Sequence, residues 1–404
     1  NQRIGRKLLI TGSGRCNLTN QSNLEEIIGN IPGNGRFLYS ALRRFGPEEL
    51  MALFEDEFGV ALKVERGHRV FPESDQAQDI VRALQNALKD YGVTLWCGAR
   101  VLDIDLSGAP QVFRVTGEKG LHLDCRYVTV ATGGASYPAT GSSGDGYRLA
   151  RSAGHQIIPA QPALVPLETK ENWPKQLQGL SLTNVAVTAW YRDKKLQAEF
   201  GEMLFTHFGV SGPIILSLSR EIVQRLANDP GSVKLILDLK PALNETQLDL
   251  RLQRDFTKFV RKIYQNALDE LLPKKMIPII VEQSGIDPSK PVHQITKEER
   301  LRLVHLLKNL ELTVTQPRPL SEAIVTAGGV STKEIDPKTM ESKIVPGLYF
   351  VGEVVDVDAY TGGFNLQIAF SMGYAAGREI AARAAASKGF SEGDAIVSQK
   401  VPLV

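Results

Sequence analysis

Residues 347–377 read GLYFVGEVVDVDAYTGGFNLQIAFSMGYAAG, and the reading of this stretch decides the fold. An apolar run from Leu348 to Val351 stops at Gly352 and Glu353, acids and glycines follow, and a segment rich in small residues restarts near Asn365. That order is a buried strand, a turn and a helix. In an open α/β sheet, ligands bind beyond the carboxyl ends of the strands, where backbone must approach without a Cβ in the way. Gly352 meets that need, and Glu353 sets a carboxylate where a sugar hydroxyl can donate to it. Thr361, Gly362 and Gly363 make the turn, and Asn365 opens a helix whose unpaired N–H groups can hold a carbonyl or phosphate oxygen. A plain strand-turn-helix connection with Glu353 in solvent also satisfies the pattern.

Working outward, the same design recurs in YVTVATGG at 127–134 and in IVTAGG at 324–329. Any one Gly-Gly pair is an ordinary tight turn. Three at three strand ends point to one ligand. Near the start, GRKLLITGSGRCNLTN at 5–20 brings Gly12, Ser13 and Gly14 in front of Arg15, Cys16 and Asn17. Successive N–H groups in such a turn form an anion nest and Arg15 adds a positive charge, although a surface loop accommodates the same residues. Cys16 reads as a small buried hydrophobe, since no cysteine partners it in sequence.

Composition narrows the class. A chain of 404 residues with 43% hydrophobic and 23% charged residues is an ordinary globular protein, long enough for about two or three domains. The net charge of +2 is spread without a long basic block, so nucleic-acid binding as the main task is disfavoured. Cys16, Cys97 and Cys125 are scattered, with no CxxC pair and no metal-ligand spacing, so neither a disulfide framework nor a metal site is expected. No apolar run of about 18 residues suggests a membrane span, and the expected location is the cytoplasm.

Along the chain the texture changes twice. Ala77, Ile80, Val81, Leu84 and Leu88 recur at helical spacing, Val93 to Leu95 reads as a strand after that helix, and strands follow at 101–106, near Phe113 and near Leu121. After His155 come Pro162, Pro166 and Pro174 with alternating runs at 185–191 and 233–239, the mark of a β-rich unit. From Asn244 the segments are charged and helix-periodic, including 256–272 and 297–307, and the strand pattern returns at 312–316. The expected division is therefore 1–155 with 320–404 as one α/β domain, interrupted by a β-rich insertion at 156–243 and a helical one at 244–319.

Together with GEMLFTHFGVSGP at 201–213, these stretches resemble the HI0933-like family, also called YhiN-like or BaiN-like, of NAD(P)/FAD-dependent flavoprotein oxidoreductases. The resemblance implies a two-dinucleotide-binding, Rossmann-like FAD domain interrupted by a β-barrel-like and a helical insertion. It implies non-covalent FAD, NADH or NADPH as electron donor and a small-molecule substrate. In the BaiN-like branch the associated reaction is reduction of conjugated double bonds in oxo-bile-acid intermediates. It further implies a strand, a GxGxxG turn and a helix ahead of Asn1, and a start of about 30 residues fits there. By the same resemblance, Gly12, Gly14, Arg15, Cys16 and Asn17 form a flavin-facing loop, with Arg15 placed to balance phosphate or reduced-flavin charge. Val101 meets adenine through its backbone. Ala131, Thr132, Gly133 and Gly134 turn over the cofactor, while Gly352, Glu353, Gly362, Gly363, Asn365, Leu366 and Gln367 surround the ribityl chain and isoalloxazine.

Catalytic candidates are fewer, because hydride transfer is the cofactor's own chemistry. Tyr360 can donate a proton or stack on substrate, or simply wall the pocket. His207 can act as an acid near neutral pH, or be a packed, hydrogen-bonded histidine. Two other readings fit the residues: a flavin-carrying binding or scaffold protein with little turnover, and an oxidase that uses oxygen.

Overall fold

The computed structural model describes residues 1–107 and 112–388. The chain divides into two compact units, Asn1–Gln161 with Ile324–Val404, and Pro162–Ala323.

The first unit is a mixed α/β domain. Its central parallel pair joins Val128–Val130 to Leu348–Phe350, with Val128 opposite Leu348 and Phe350 opposite Val130. Leu348, Tyr349 and Phe350 are all buried, as a parallel strand covered on both faces requires. An antiparallel meander, Val101–Asp105, Phe113–Gly117 and His122–Cys125, forms a second sheet. Thr19–Asn20, Arg69–Pro72 and Leu62–Glu65 form a third. Val325–Val330 pairs with Ile157–Ala163. Helices Ala77–Asp90 and Asp145–Ser152 precede the 25-residue helix Phe364–Lys388, whose many alanines favour helix. One core gathers Val130, Tyr147, Tyr349, Phe350, Ile368 and Met372; another gathers Cys16, Leu18, Phe54 and Ile80.

The second unit is a closed six-stranded antiparallel barrel with helices. Its strands run in the order Ser181–Tyr191, Lys194–Phe205, Gly209–Ser211, Leu167–Thr169, Leu310–Pro317 and Val233–Asp238. Val185, Val187 and Ala189 are buried, as are Val233, Leu235 and Leu237, so alternate residues fill the barrel. Leu252, Ile280, Leu303 and Leu307, on helices Glu245–Lys258, Ile277–Ser284 and Lys297–Lys308, belong to the same hydrophobic cluster. The barrel and these helices therefore share one core, and no break between units falls at the expected 243/244 boundary.

Two local expectations are corrected. The helix expected at 256–272 starts earlier, at Glu245, because Asn244 and Gln247 form a capping box, and it ends at Lys258. Val93 to Leu95 is not a strand: it has no ladder partner among the described residues, and Leu95 is exposed. Among those residues no helix is long and apolar enough to cross a membrane.

His155 generates a prediction. It is buried, its Nε2 lies 2.8 Å from Ser342 Oγ, its ring packs edge-on against Phe350, and its Nδ1 has no hydrogen-bond partner among the described residues. Burial lowers its pKa below the ordinary 6.5, with the charge of Glu334 opposing. As pH falls through about 6.5 the unfolded chain takes up this proton before the folded one, so stability is lost from there downward. The urea midpoint should be lower at pH 5.5 than at pH 7.5, and His155→Gln should shrink the difference.

Candidate cofactor site

The carboxyl ends of the parallel pair and the amino end of Val325–Val330 converge on Glu353. Gly352, in the left-handed region at φ +73°, turns the chain so that the Glu353 carboxylate meets two other segments. Oε1 accepts from Thr326 N at 2.8 Å and Ser136 Oγ at 3.1 Å, and Oε2 accepts from Lys7 Nζ at 2.7 Å. Lys7 Nζ also donates to Ser136 Oγ at 2.8 Å. Thr326 Oγ1 in turn accepts from the amides of Ala135 and Ser136, and both Ser136 and Thr326 are buried. Gly134 has no room for a side chain, since a Cβ there would press on Thr326 and lie 3.0 Å from Glu353 Oε1. Tyr147 is buried; burial and the charge of Glu353 push its pKa far up, with Thr326 opposing.

A second cluster secures the start of the long helix. With the Asn17 amide turned to suit its neighbours, its nitrogen donates to Thr19 O at 3.0 Å and Val70 O at 3.2 Å, and its oxygen accepts from Gly363 N at 3.0 Å. Gly363 sits at φ +99°, and a Cβ on it would collide with the Thr19 carbonyl. Asn20 Nδ2 donates to Gly362 O at 2.9 Å. Beyond this lock, Phe364, Asn365 and Leu366 present the first-turn amides, which have no acceptor within their own helix.

Several residues expected to hold cofactor are used by the chain itself. Gln367 is buried and satisfied: Oε1 accepts from Thr19 Oγ1, and Nε2 donates to Phe45 O at 3.1 Å and Ser371 Oγ at 3.0 Å. The Asn365 side chain closes the preceding loop, accepting from Ala359 N at 3.0 Å and donating to Ala359 O at 2.9 Å. Arg15 is neutralised by Glu65 at 2.8 Å and Asp75 at 3.2 Å and lies over the Phe71 ring, so it is not a spare charge for an anion. Cys16 is buried, with its thiol pushed up to about 11, which makes it core and not a reactive thiolate. Gly363 is glycine because of the Thr19 backbone.

The remaining candidates divide between the units. Gly12 and Gly14 adopt left-handed φ of +56° and +87° on the exposed loop, and Leu366 packs toward the Cys16 core. Ala131 and Thr132 are exposed beyond Val130, and a Cβ on Gly133 would lie 2.9 Å from Ser142 Oγ. Val101 begins the meander opposite Gly117. Tyr360 is half-buried, its amide donating to Asn30 O at 3.0 Å and its carbonyl accepting from Asn365 Nδ2 at 3.3 Å. His207 belongs to the inserted unit, exposed between two barrel strands and edge-on to Phe208.

Sequence reading missed Lys7, Ser136, Thr326 and Thr19. The available signal was proximity: Ser136 follows Gly134 by two positions and Thr326 precedes Gly328 by two, although Gly328 and Gly329 lie inside the strand Val325–Val330 and not beyond its end as expected.

Fold and site define a Rossmann-type flavoprotein oxidoreductase. Residues 1–379 match the family described as HI0933-like protein Rossmann domain, and the chain belongs to this HI0933-like family of flavoprotein oxidoreductases. It is similar to the 3-dehydro-bile acid delta(4,6)-reductase of Clostridium scindens, with 34% identity over 95% of this chain and 91% of that protein. It is also similar to two proteins named ribosomal RNA dihydrouridine synthase. That of Haemophilus influenzae is 33% identical over 93% of this chain and 89% of its own length, and that of Escherichia coli 31% identical over 94% and 90%.

The donor set fits FAD. A carboxylate has about four lone-pair positions. Three of Glu353's are taken among the described residues, leaving one on Oε2, and the side chain is 20% exposed. That position suits a ribityl hydroxyl, and the helix amides after Gly363 suit the carbonyl edge of a flavin.

Glu353→Ala should therefore lower FAD affinity about tenfold to a hundredfold, read by flavin fluorescence, since a charge-assisted bond is lost. It should also lower the melting temperature, because Lys7, Ser136 and Thr326 lose their shared acceptor. Gly363→Ala should cost about 1–3 kcal/mol from backbone strain alone, and more from the collision with Thr19, measured by urea denaturation.

Proposed function

We propose that this protein uses FAD to pass a hydride from NADH or NADPH to a carbon-carbon double bond conjugated to a carbonyl. The observation that carries this reading is the likeness, over more than nine-tenths of the chain, to proteins named for such bonds. A delta(4,6) double-bond pair in a 3-dehydro bile acid extends from the 3-oxo group. Dihydrouridine is uridine with the ring double bond beside its carbonyl saturated. When bound, FAD supplies hydride transfer through its N5.

The chain's own residues would position and protonate. Glu353 and the amides that open the Phe364–Lys388 helix hold the cofactor non-covalently. Tyr360, whose backbone is anchored on both sides by Asn30 and Asn365, is the proposed proton donor to the carbon next to the carbonyl. A bile acid and an RNA share the reducible unit, and identities of 34% and 33% favour neither. The small-molecule reading rests on the nearly balanced net charge of +2. Three free thiols fit the cytoplasm as the working compartment.

Anaerobic mixing of the FAD-loaded full-length protein with NADH or NADPH should bleach the yellow absorbance. Adding a 3-oxo-4-ene steroid, or ribosomal RNA bearing unreduced uridine, should restore the colour and yield the saturated product. No bleaching at millimolar nucleotide would favour a flavin-carrying scaffold; reoxidation with peroxide formation on admitting oxygen, with neither acceptor turned over, would favour an oxidase.

A further inference from the structure

Nothing assigns a role to Lys7, yet its ammonium group is fixed beside the carboxylate through which the cofactor reading enters the structure. Nζ donates to Glu353 Oε2 at 2.7 Å and to Ser136 Oγ at 2.8 Å. An ammonium carries three N–H donors, so one is left without a partner among the described residues. The neighbouring Oε2 has one lone-pair position left. The Lys7 and Glu353 side chains are 26% and 20% exposed, enough for a ligand to reach them. The pair thus offers one donor and one acceptor held side by side. A hydroxyl group both accepts and donates, and neighbouring hydroxyls on a sugar-alcohol chain can divide the two roles between them.

We infer that Lys7 is a cofactor-binding residue which, with Glu353, grips the polyol chain of the flavin, Lys7 donating to one hydroxyl oxygen while Glu353 accepts from a hydroxyl hydrogen. The inference rests on the FAD reading and goes beyond it. Ser136 is the positioning residue of the pair: buried, it accepts from Lys7 and donates to Glu353 Oε1 at 3.1 Å, which fixes the spacing of the two charged groups. A lysine present only to neutralise Glu353 would act on fold stability and would not distinguish ligands with a polyol chain from those without one.

The test compares the full-length protein with its Lys7→Met and Lys7→Arg variants, titrated by fluorescence with FAD, riboflavin and lumiflavin, the last of which has the ring system and no ribityl chain. Lys7→Met should weaken FAD and riboflavin by a common factor of tenfold or more and leave lumiflavin within twofold. Lys7→Arg should recover most of the loss, because a guanidinium keeps charge and donors. Unchanged FAD affinity in Lys7→Met would overturn the inference, and so would an equal loss for lumiflavin, which would make the contact purely structural. Failure of the unaltered protein to bind any of the three flavins would instead overturn the FAD reading itself.

Discussion

A part-buried carboxylate has to be compensated, and the way Glu353 is compensated organises the first unit. Its three donors come from an N-terminal segment, from the turn after Val130 and from the strand at Val325–Val330. None is a sequence neighbour: Lys7 is 346 residues away and Ser136 is 217. The glycines beside them follow from this convergence. Gly134 leaves the space that Thr326 and Glu353 use, so the turn after Val130 carries glycine first because chain must pass close to chain. Ligand recognition is then built on the valences left over.

How much of this was legible depends on the range of the interaction. The strand at 348–350, the turn at Gly362 and Gly363 and the helix after it were readable, since each is set by local pattern. So was the β-rich character of the insertion, because Val185, Val187 and Ala189 alternate inward as the pleat demands, while its closure into a barrel was implied only by the family resemblance. Glu353 was readable as a carboxylate just beyond a buried strand, but its partners were not: sequence carries no sign of which lysine or threonine faces a given acid. Gln367 and Asn365, whose side chains bond within the chain, show the complementary limit. A polar residue at a helix start looks the same in sequence whether its amide serves a ligand or the chain's own carbonyls.

The misplaced helix start teaches something narrower. Apolar periodicity alone put the helix at 256–272, while the Asn244 to Gln247 capping box, also present in the sequence, marks the true beginning. Terminal chemistry was the better guide where the helix ends in a series of short turns. For Val93 to Leu95, composition suited a strand, but a strand exists only by pairing.

The parallel pair of Val128–Val130 with Leu348–Phe350 has a consequence for the order in which the molecule assembles. It closes a loop that contains the whole inserted unit, so its formation carries a large entropic toll and belongs to the slow class of non-local contacts. The inserted unit is one contiguous stretch with a closed barrel of its own. Once it has folded, the free chain left to close is much shorter. Pairing of Ile157–Ala163 with Val325–Val330, the strands at its entry and exit, then brings the two halves of the first unit together. A folded insertion therefore lowers the entropic cost of closing a sheet to which it contributes no central strand.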